Sequence, residues 1–154
     1  MINYLKSSIS ISSYNGCTIN CKYCILSSLG NRENVRKVED EKELVKKLLS
    51  LKLYSPEIPI SVNNQTDPLL NKKIFDSTIK ILKEMEKNEV PNPILIITKG
   101  YITKEQIKQI EKINLNIIIL YTFSGLSEKL ENRNEKSQIE TLEKLSKLKN
   151  CKLI

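Results

Sequence analysis

The chain has 154 residues, of which 40% are hydrophobic and 28% charged, and its formal net charge is +7 at pH 7. This length suits one domain with a buried core, and we expect a single domain over residues 1–154. No apolar run approaches the roughly 18 residues of a membrane span, and the N-terminus lacks a signal-peptide pattern, so we expect a cytoplasmic protein without a membrane partner. The absence of histidine excludes His general bases, Ser-His-Asp triads and His-ligated zinc.

Lysine supplies most of the positive charge, since arginine occurs only at positions 32, 36 and 133. Most lysines alternate with glutamate in helical stretches such as 41–47 and 80–87. That pattern is typical of a solvated helix face rather than of a nucleic-acid footprint. The net charge alone does not identify a binding partner, and nucleic acid remains one candidate.

The spacing of apolar residues alternates between strand and helix periods along the chain. Period-two alternation over 8–12 predicts a first strand, and a loop from 15 to about 36 follows it. Apolar runs predict further strands at 58–62, 94–97 and 117–121, and the opening of a fifth at 151–154.

Helical spacing predicts four helices between these strands. Asp40 with Glu43 makes an N-cap for the first, and Thr103 with Gln106 makes a capping box for the third. The second helix is predicted at about 71–87 and the fourth at about 137–149. The residues predicted to face inward are, in chain order, Leu44, Val45, Leu48, Leu49, Phe75, Ile79, Leu82, Met85, Ile107, Ile110, Ile139, Leu142, Leu145 and Leu148.

This succession of strand–helix units predicts an α/β fold with a parallel sheet. A closed eightfold barrel takes about 250 residues, or roughly 31 per unit, so this chain holds about five units. We therefore expect a partial, open-sided (β/α) barrel of about four to five parallel strand–helix units. A doubly wound sheet stays open as an alternative, because the sequence pattern does not fix strand order.

Three cysteines within eight residues follow the first strand, in the spacing C-x3-C-x2-C: Cys17, Cys21 and Cys24. Three thiolates in one loop suit an iron–sulfur cluster, whose irons take soft anionic ligands. Three ligands would leave one iron of a [4Fe–4S] cube open to an outside molecule. Structural zinc, which takes four ligands, and structural or free thiols are the alternatives. Cys151 is the only other thiol, and a core position is expected for it.

This cysteine spacing, with Tyr23 just before the third cysteine, resembles the hallmark of the radical S-adenosylmethionine superfamily. The resemblance implies that Cys17, Cys21 and Cys24 hold a [4Fe–4S] cluster whose fourth iron chelates S-adenosylmethionine. Reductive cleavage would then yield a 5′-deoxyadenosyl radical. It also implies that Tyr23 lies against the adenine, and that an electron donor of the flavodoxin or ferredoxin type is a partner.

Polar residues follow each predicted strand, and in parallel strand–helix barrels the functional loops lie at the C-terminal strand ends. The residues that we expect at the cofactor are Asn64, Thr66, Asp67, Lys99, Thr122 and Ser124. Within the superfamily, the pattern is most similar to the branch related to spore photoproduct lyase. That likeness implies that Lys99 and Ser124 hold the methionine or ribose end of the cofactor. Thr66 and Asp67 would serve the same loop, in place of the Gly-Gly-Glu motif of many relatives.

Two positions depart from the lyase pattern. The lyase pattern has a cysteine at the position of Asn64, two residues before Thr66-Asp67, and a tyrosine at the position of Ile25, directly after the third motif cysteine. Without these hydrogen-relay residues, repair of thymine dimers is not expected, and the substrate stays unknown.

Two other functions remain as alternatives to an enzyme that acts alone. Asp67-Pro68-Leu69 is similar to a motif in activases of glycyl-radical enzymes. The chain could also be an incomplete iron–sulfur and S-adenosylmethionine-binding subunit, because the family barrel continues beyond a fifth strand. We therefore expect a second copy or another chain to pair with an exposed strand edge and complete the barrel.

Overall fold

The structure, a computed structural model, describes residues 2–4, 8–25, 34–52, 54–123, 135–148 and 151–154. The strands are β1 (Ile2–Tyr4), β2 (Ile9–Ile11), β3 (Tyr14–Asn15), β4 (Arg36–Lys37), β5 (Ile60–Val62), β6 (Ile94–Thr98), β7 (Ile117–Tyr121) and β8 (Cys151–Leu153). The helices are α1 (Glu41–Leu49), α2 (Lys72–Lys87), α3 (Lys104–Ile110) and α4 (Glu135–Leu145).

Six of these strands form the main sheet, in the order β1-β2-β5-β6-β7-β8. All neighbours from β2 to β8 are parallel, and their spatial order follows the chain. A doubly wound sheet reverses its strand order at a switch point, so this order confirms the partial barrel and removes the alternative. β1, which the sequence analysis does not predict, pairs antiparallel with β2 and forms one edge.

The two faces of the sheet differ in composition because successive side chains of a strand point to opposite sides. One face packs with the helices in the core, and its strand residues include Ile9, Ile11, Ile60, Val62, Ile94, Ile96, Ile117 and Ile119. The opposite face carries Ser10 on β2 and Ser61 on β5, which pair in register, while β6 and β7 place Leu95 and Ile118 there. The sheet is thus apolar beneath its helices and partly polar on its other side.

The helix starts follow the predicted capping. The Asp40 carboxylate accepts from the backbone N–H groups of Lys42 and Glu43, at 2.9 and 3.3 Å. Thr103 and Gln106 form a reciprocal capping box at the start of α3. Each cap satisfies backbone donors that have no partner within the helix. The caps therefore fix where the chain turns from a loop into a helix.

The predicted inward face of α4 is wrong in part. Ile139 is 43% exposed and Leu142 is 37% exposed, whereas Gln138, Thr141 and Leu145 are buried. Thr141 can face inward because its hydroxyl donates to the Ser137 carbonyl at 2.9 Å, which satisfies the buried group within the helix. The apolar-only pattern therefore placed the first half of the buried stripe one residue too late, whereas Leu145 and Leu148 are buried as predicted.

Two smaller expectations also change. α4 spans Glu135–Leu145 rather than 137–149. Leu49, expected to face inward in α1, is 37% exposed at the end of the helix. The other inward residues of α1 and α2 are buried as predicted, and Ile107 of α3 is partly buried against the core.

None of the helices in the described ranges combines the length and apolar content that a bilayer crossing requires.

Two leucines on different helices test the assignment of the core. Leu82 on α2 is fully buried, so Leu82→Ala removes packed methyl groups and leaves a cavity. We expect it to lower the free energy of unfolding by about 2–5 kcal/mol. Leu142→Ala on α4 is the matched control, and we expect less than about 1 kcal/mol because this side chain is partly exposed. Urea unfolding of both variants measures the difference, and equal losses would contradict the described orientation of α4.

Candidate cofactor site

The base of the cysteine loop is closed by a short second sheet. β3 and β4 pair antiparallel, with Tyr14 opposite Lys37 and Asn15 opposite Arg36. Gly16 follows with φ +95°, a left-handed conformation that favours glycine, and an added Cβ would lie 2.6 Å from the Asn34 carbonyl oxygen. Its N–H donates to the Gln65 carbonyl at 3.0 Å. The start of the cysteine loop is therefore fastened to the loop that follows β5.

The three cysteines of the motif lie in the first part of this loop. All three carry reduced thiols; Cys21 is buried, and Cys17 and Cys24 are partly buried. Asn20 takes φ +62°, and the Cys24 N–H donates to the Cys21 carbonyl at 3.1 Å, so the chain turns tightly between the thiols. Burial raises the pKa of the Cys17 thiol to about 11, although the Ile19 N–H opposes that change. Burial thus favours the protonated thiol of Cys17, and this thiol would have to lose its proton to bind a metal.

Asp67 ties the loop after β5 to the end of β6. Its carboxylate accepts from the Thr98 hydroxyl at 2.7 Å, from the Lys99 N–H at 2.7 Å and from the Leu69 N–H at 2.8 Å. Gly100 permits the close approach, because a Cβ there would lie 2.8 Å from an Asp67 oxygen and 2.3 Å from the Cβ of Leu69. Through these three bonds the Asp67 carboxylate acts as an anchor between two loops.

Lys99 and Tyr23, predicted separately to contact the cofactor, contact each other. The Lys99 ammonium lies 4.5 Å from the centroid of the Tyr23 ring and also donates to the Tyr23 hydroxyl. Tyr23 itself is 51% exposed. A cation over an aromatic face is weakly held at an exposed site, so this pair can open to admit a ligand.

The cysteine loop and the loops after β5, β6 and β7 enclose a cavity of about 490 Å³. This volume lies in the ordinary range for small-molecule sites. The lining residues are Cys17, Ile19, Asn20, Cys21, Cys24, Ile25, Asn64, Gln65, Thr66, Asp67, Ile97, Thr98, Lys99 and Thr122. Four separate parts of the sequence therefore meet at the C-terminal edge of the sheet.

Most of the predicted site residues share this cavity. The three motif cysteines line it together with Asn64, Thr66, Asp67, Lys99 and Thr122. Tyr23 reaches the site through its contact with Lys99, and Ser124 lies outside the described residues. Their roles toward a cofactor stay predictions.

Gln65 and Thr98 line the cavity; the sequence placed them in the polar segments after β5 and β6 but did not single them out as cofactor contacts, and it gave Asn63 no role of its own. Gln65 and Thr98 adjoin predicted residues and could have been included with them. Asn63 takes φ +53° at the end of β5, and asparagine is the residue other than glycine that tolerates this conformation best. An asparagine directly after a predicted strand was the available signal.

The donor set fits an iron–sulfur cluster with a small organic ligand beside it. The Thr66 hydroxyl oxygen is buried next to the thiols and has no hydrogen-bond partner within the described residues, so it is available to a bound polar group. In those same ranges, no three Cys, Asp or Glu side chains surround a point that would hold one metal ion. A cluster has no such requirement, because each cysteine binds a different iron.

The anchoring role of Asp67 can be tested by removing one acceptor. Asp67→Asn replaces a carboxylate oxygen with an N–H₂ donor that must face groups that are themselves donors. We expect the free energy of unfolding to fall by about 1–3 kcal/mol. Asp76→Asn, at an exposed ion pair with Lys72, is the control and should change it by less than about 0.5 kcal/mol. Equal effects in urea unfolding would count against the anchor.

Curated relatives of this chain are RNA-modifying enzymes. The chain is 26% identical over 135 residues to the dual-specificity RNA methyltransferase RlmN of Campylobacter jejuni strain RM1221. The aligned region covers 84% of this chain and 36% of that protein. The chain is 24% identical over 136 residues to RlmN of Campylobacter hominis, covering 86% and 37%. The chain thus spans about a third of the length of these relatives.

Solved structures show the same fold. A spore photoproduct lyase variant with bound AdoMet and a dinucleoside spore photoproduct superposes with a TM-score of 0.77 at 15% identity, covering 99% of this chain and 46% of that one. A second lyase variant gives 0.71 at 14% identity, with the same coverage. Residues 11–153 match the radical SAM superfamily. Since that match spans nearly the whole sequence, the chain belongs to the radical SAM superfamily of enzymes.

Proposed function

We propose that this chain binds a [4Fe–4S] cluster through Cys17, Cys21 and Cys24, and binds S-adenosylmethionine in the same cavity. The observation that carries the proposal is the meeting of the three thiols with the loops after β5, β6 and β7 around one space of about 490 Å³. Membership of the radical SAM superfamily supports the identity of both groups.

When bound, the cluster and S-adenosylmethionine would supply one-electron reductive cleavage of the sulfonium to methionine and a 5′-deoxyadenosyl radical, with the electron coming from a donor protein. The residues of the chain position these groups and exclude water. Cys17 gives up its proton on ligation, and the Thr66 hydroxyl offers an unused hydrogen bond. Ile19, Ile25 and Ile97 give the cavity apolar walls, which strengthen electrostatic contacts within it.

Lys99 is the cation nearest to the ligand in this proposal. Its ammonium lies at the Tyr23 ring, and its backbone N–H is held by Asp67. On ligand binding, the ammonium would exchange the Tyr23 hydroxyl for a carboxylate or ribose oxygen. The Tyr23 ring would then be available to lie against the adenine.

Partner chains are part of the proposal. Reductive cleavage needs an electron donor, for which we propose a protein of the flavodoxin or ferredoxin type. β8 forms one edge of the described sheet, and an edge strand presents backbone groups that can pair with another strand. We propose that a strand from a second copy or from a different chain pairs there.

Anaerobic reconstitution with iron and sulfide, followed by dithionite and S-adenosylmethionine, tests the central proposal. We expect about four irons per chain, because the motif supplies three ligands to a [4Fe–4S] cube, and formation of 5′-deoxyadenosine measured by chromatography. A cluster without cleavage would favour a subunit that needs another chain. Failure to take up iron with intact thiols would overturn the proposal.

Single cysteine variants sharpen that experiment. Cys17→Ser, Cys21→Ser and Cys24→Ser should each lose most of the iron, since an alcohol replaces a thiolate ligand. Cys151→Ser is the matched control, because Cys151 lies outside the motif, and it should retain iron and cleavage. Equal iron loss in all four variants would contradict the assignment of the ligands.

We further propose that the substrate is a nucleic acid. The curated relatives are RNA methyltransferases, and one structural neighbour holds a dinucleoside. The net charge of +7 favours a polyanion. Lys22, exposed between two of the motif cysteines, lies in the loop that lines the cavity. A phosphate group of a bound strand could therefore contact it beside the site.

Fluorescence anisotropy with RNA and DNA oligonucleotides tests this second proposal. Lys22→Gln should weaken binding about twofold to fivefold and reduce the slope of log K against log salt by about 1, because one phosphate contact is lost. Lys112→Gln is the control, since Lys112 is exposed after α3, at the opposite end of the strands. Equal effects of the two changes, or no binding at low salt, would argue against a nucleic-acid substrate.

A further inference from the structure

A buried chain of polar side chains runs beneath the cavity and begins at Asn63, where β5 ends. The Asn63 side-chain oxygen accepts from the Ser13 N–H at 2.9 Å and lies 3.1 Å from the Ser13 hydroxyl. Its N–H₂ group donates to Thr78 on α2 at 2.9 Å. Because Ser13 N–H can only donate, the amide orientation is fixed. These bonds hold Asn63 at φ +53°, the conformation that directs the chain into the loop 64–67.

The polar chain continues from Ser13 to Glu41 at the start of α1. The hydroxyl oxygens of Ser13 and Ser77 lie 2.7 Å apart, and the Ser77 hydroxyl donates to a Glu41 carboxylate oxygen at 2.6 Å. All three residues are buried. An ionised carboxylate only accepts, so Ser77 directs its proton to Glu41 and therefore accepts from Ser13. The charge of Glu41 thus directs the Ser13 hydroxyl proton to Ser77, and Ser13 then bonds Asn63 through its backbone N–H.

Glu41 also reaches the base of the cysteine loop. Its second oxygen accepts from the Lys37 ammonium at 2.8 Å, and Lys37 lies on β4 opposite Tyr14. Burial favours the neutral acid, but the hydrogen bonds from Lys37 and Ser77 outweigh it, so the pKa of Glu41 is lowered. One carboxylate therefore joins the strand that closes the cysteine loop to the residue that starts the loop 64–67.

We propose that Glu41 is a positioning residue for the cofactor cavity. Through Ser77 it holds the Ser13 hydroxyl, and the Ser13 backbone N–H in turn holds Asn63. Through Lys37 it holds β4, so that the loop 64–67 and the cysteine loop are kept at one mutual distance. The backbone bond from Gly16 to the Gln65 carbonyl, at 3.0 Å, is the contact that depends on this arrangement. The role in ligand binding rests on the proposed function, whereas the role in loop placement does not.

Hydrogen exchange of the apo-protein tests loop placement without any cofactor. The Gly16 amide donates to the Gln65 carbonyl and the Thr66 amide to the Asn63 carbonyl, so both report on the placement of the loop 64–67. We expect Glu41→Gln and Ser77→Ala each to speed exchange of these two amides about fivefold to tenfold, because a charge-assisted bond is lost. The double variant should add little, because both changes interrupt the same chain of bonds. Glu43→Gln, an exposed carboxylate in the same helical turn, is the matched control and should leave both amides unchanged.

Titration of S-adenosylmethionine into the reconstituted protein extends the test. For Glu41→Gln and Ser77→Ala we expect a Kd about fivefold to tenfold higher with unchanged iron content, at a temperature where urea unfolding shows each variant fully folded. Exchange rates equal to those of Glu43→Gln, or faster exchange spread evenly over α1 and α2, would overturn the positioning role. If exchange in the variants speeds up as expected but the reconstituted wild-type protein binds no S-adenosylmethionine, the result would contradict the proposed function and support the loop placement.

Discussion

The Asp67 carboxylate is the contact on which the geometry of the cavity depends. It joins a loop that follows β5 to the backbone at the end of β6, and its bonds from Thr98 and Leu69 are buried. Parallel strands bring their C-terminal ends to one edge, but they do not by themselves fix how the following loops lie relative to each other. A buried, multiply bonded carboxylate supplies that fixation, since removing it would leave the buried Leu69 N–H without the acceptor that it uses here.

A second buried carboxylate, Glu41, acts on the other side of the same loop. Asp67 holds the end of the loop 64–67 against β6, and the polar chain from Glu41 holds its beginning through Asn63. The loop is thereby held at both ends, while its middle, with Asn64, Gln65 and Thr66, faces the cavity. The middle is also tied to the protein, since Gly16 donates to the Gln65 carbonyl and Ser10 donates to the Asn64 side-chain oxygen. A loop held along its length in this way can present polar groups to a ligand in a fixed geometry.

Much of the fold follows from the sequence, because the signals involved are local. The apolar run that forms β7 was predicted with its observed limits, and the caps at Asp40 and Thr103 lie where their side chains indicated. Buried polar residues caused the errors. Thr141 faces inward because its hydroxyl bonds within its own helix, which an apolar pattern does not reveal. The short strand β1 pairs antiparallel with β2, and such a pairing depends on tertiary contacts rather than on local preference.

The candidate site, like the fold, has features that the sequence predicts and features that it does not. The cysteine spacing is a local motif and could be recognised at once, and the position of polar residues after parallel strands predicted which loops would meet. The partners of Asp67 and the polar chain from Asn63 to Glu41 could not be predicted, because they join residues that are far apart in the sequence.

The pairing of β3 with β4 joins the two ends of the cysteine loop in the protein without ligands. The 20 residues between Asn15 and Arg36 form a closed loop whose ends are already joined in the protein without ligands. Closing a flexible segment of this length costs on the order of 2.5–3 kcal/mol of chain entropy. Because the loop is closed when the domain folds, iron binding does not have to supply this free energy, and the affinity of the thiols for iron is not lowered by it.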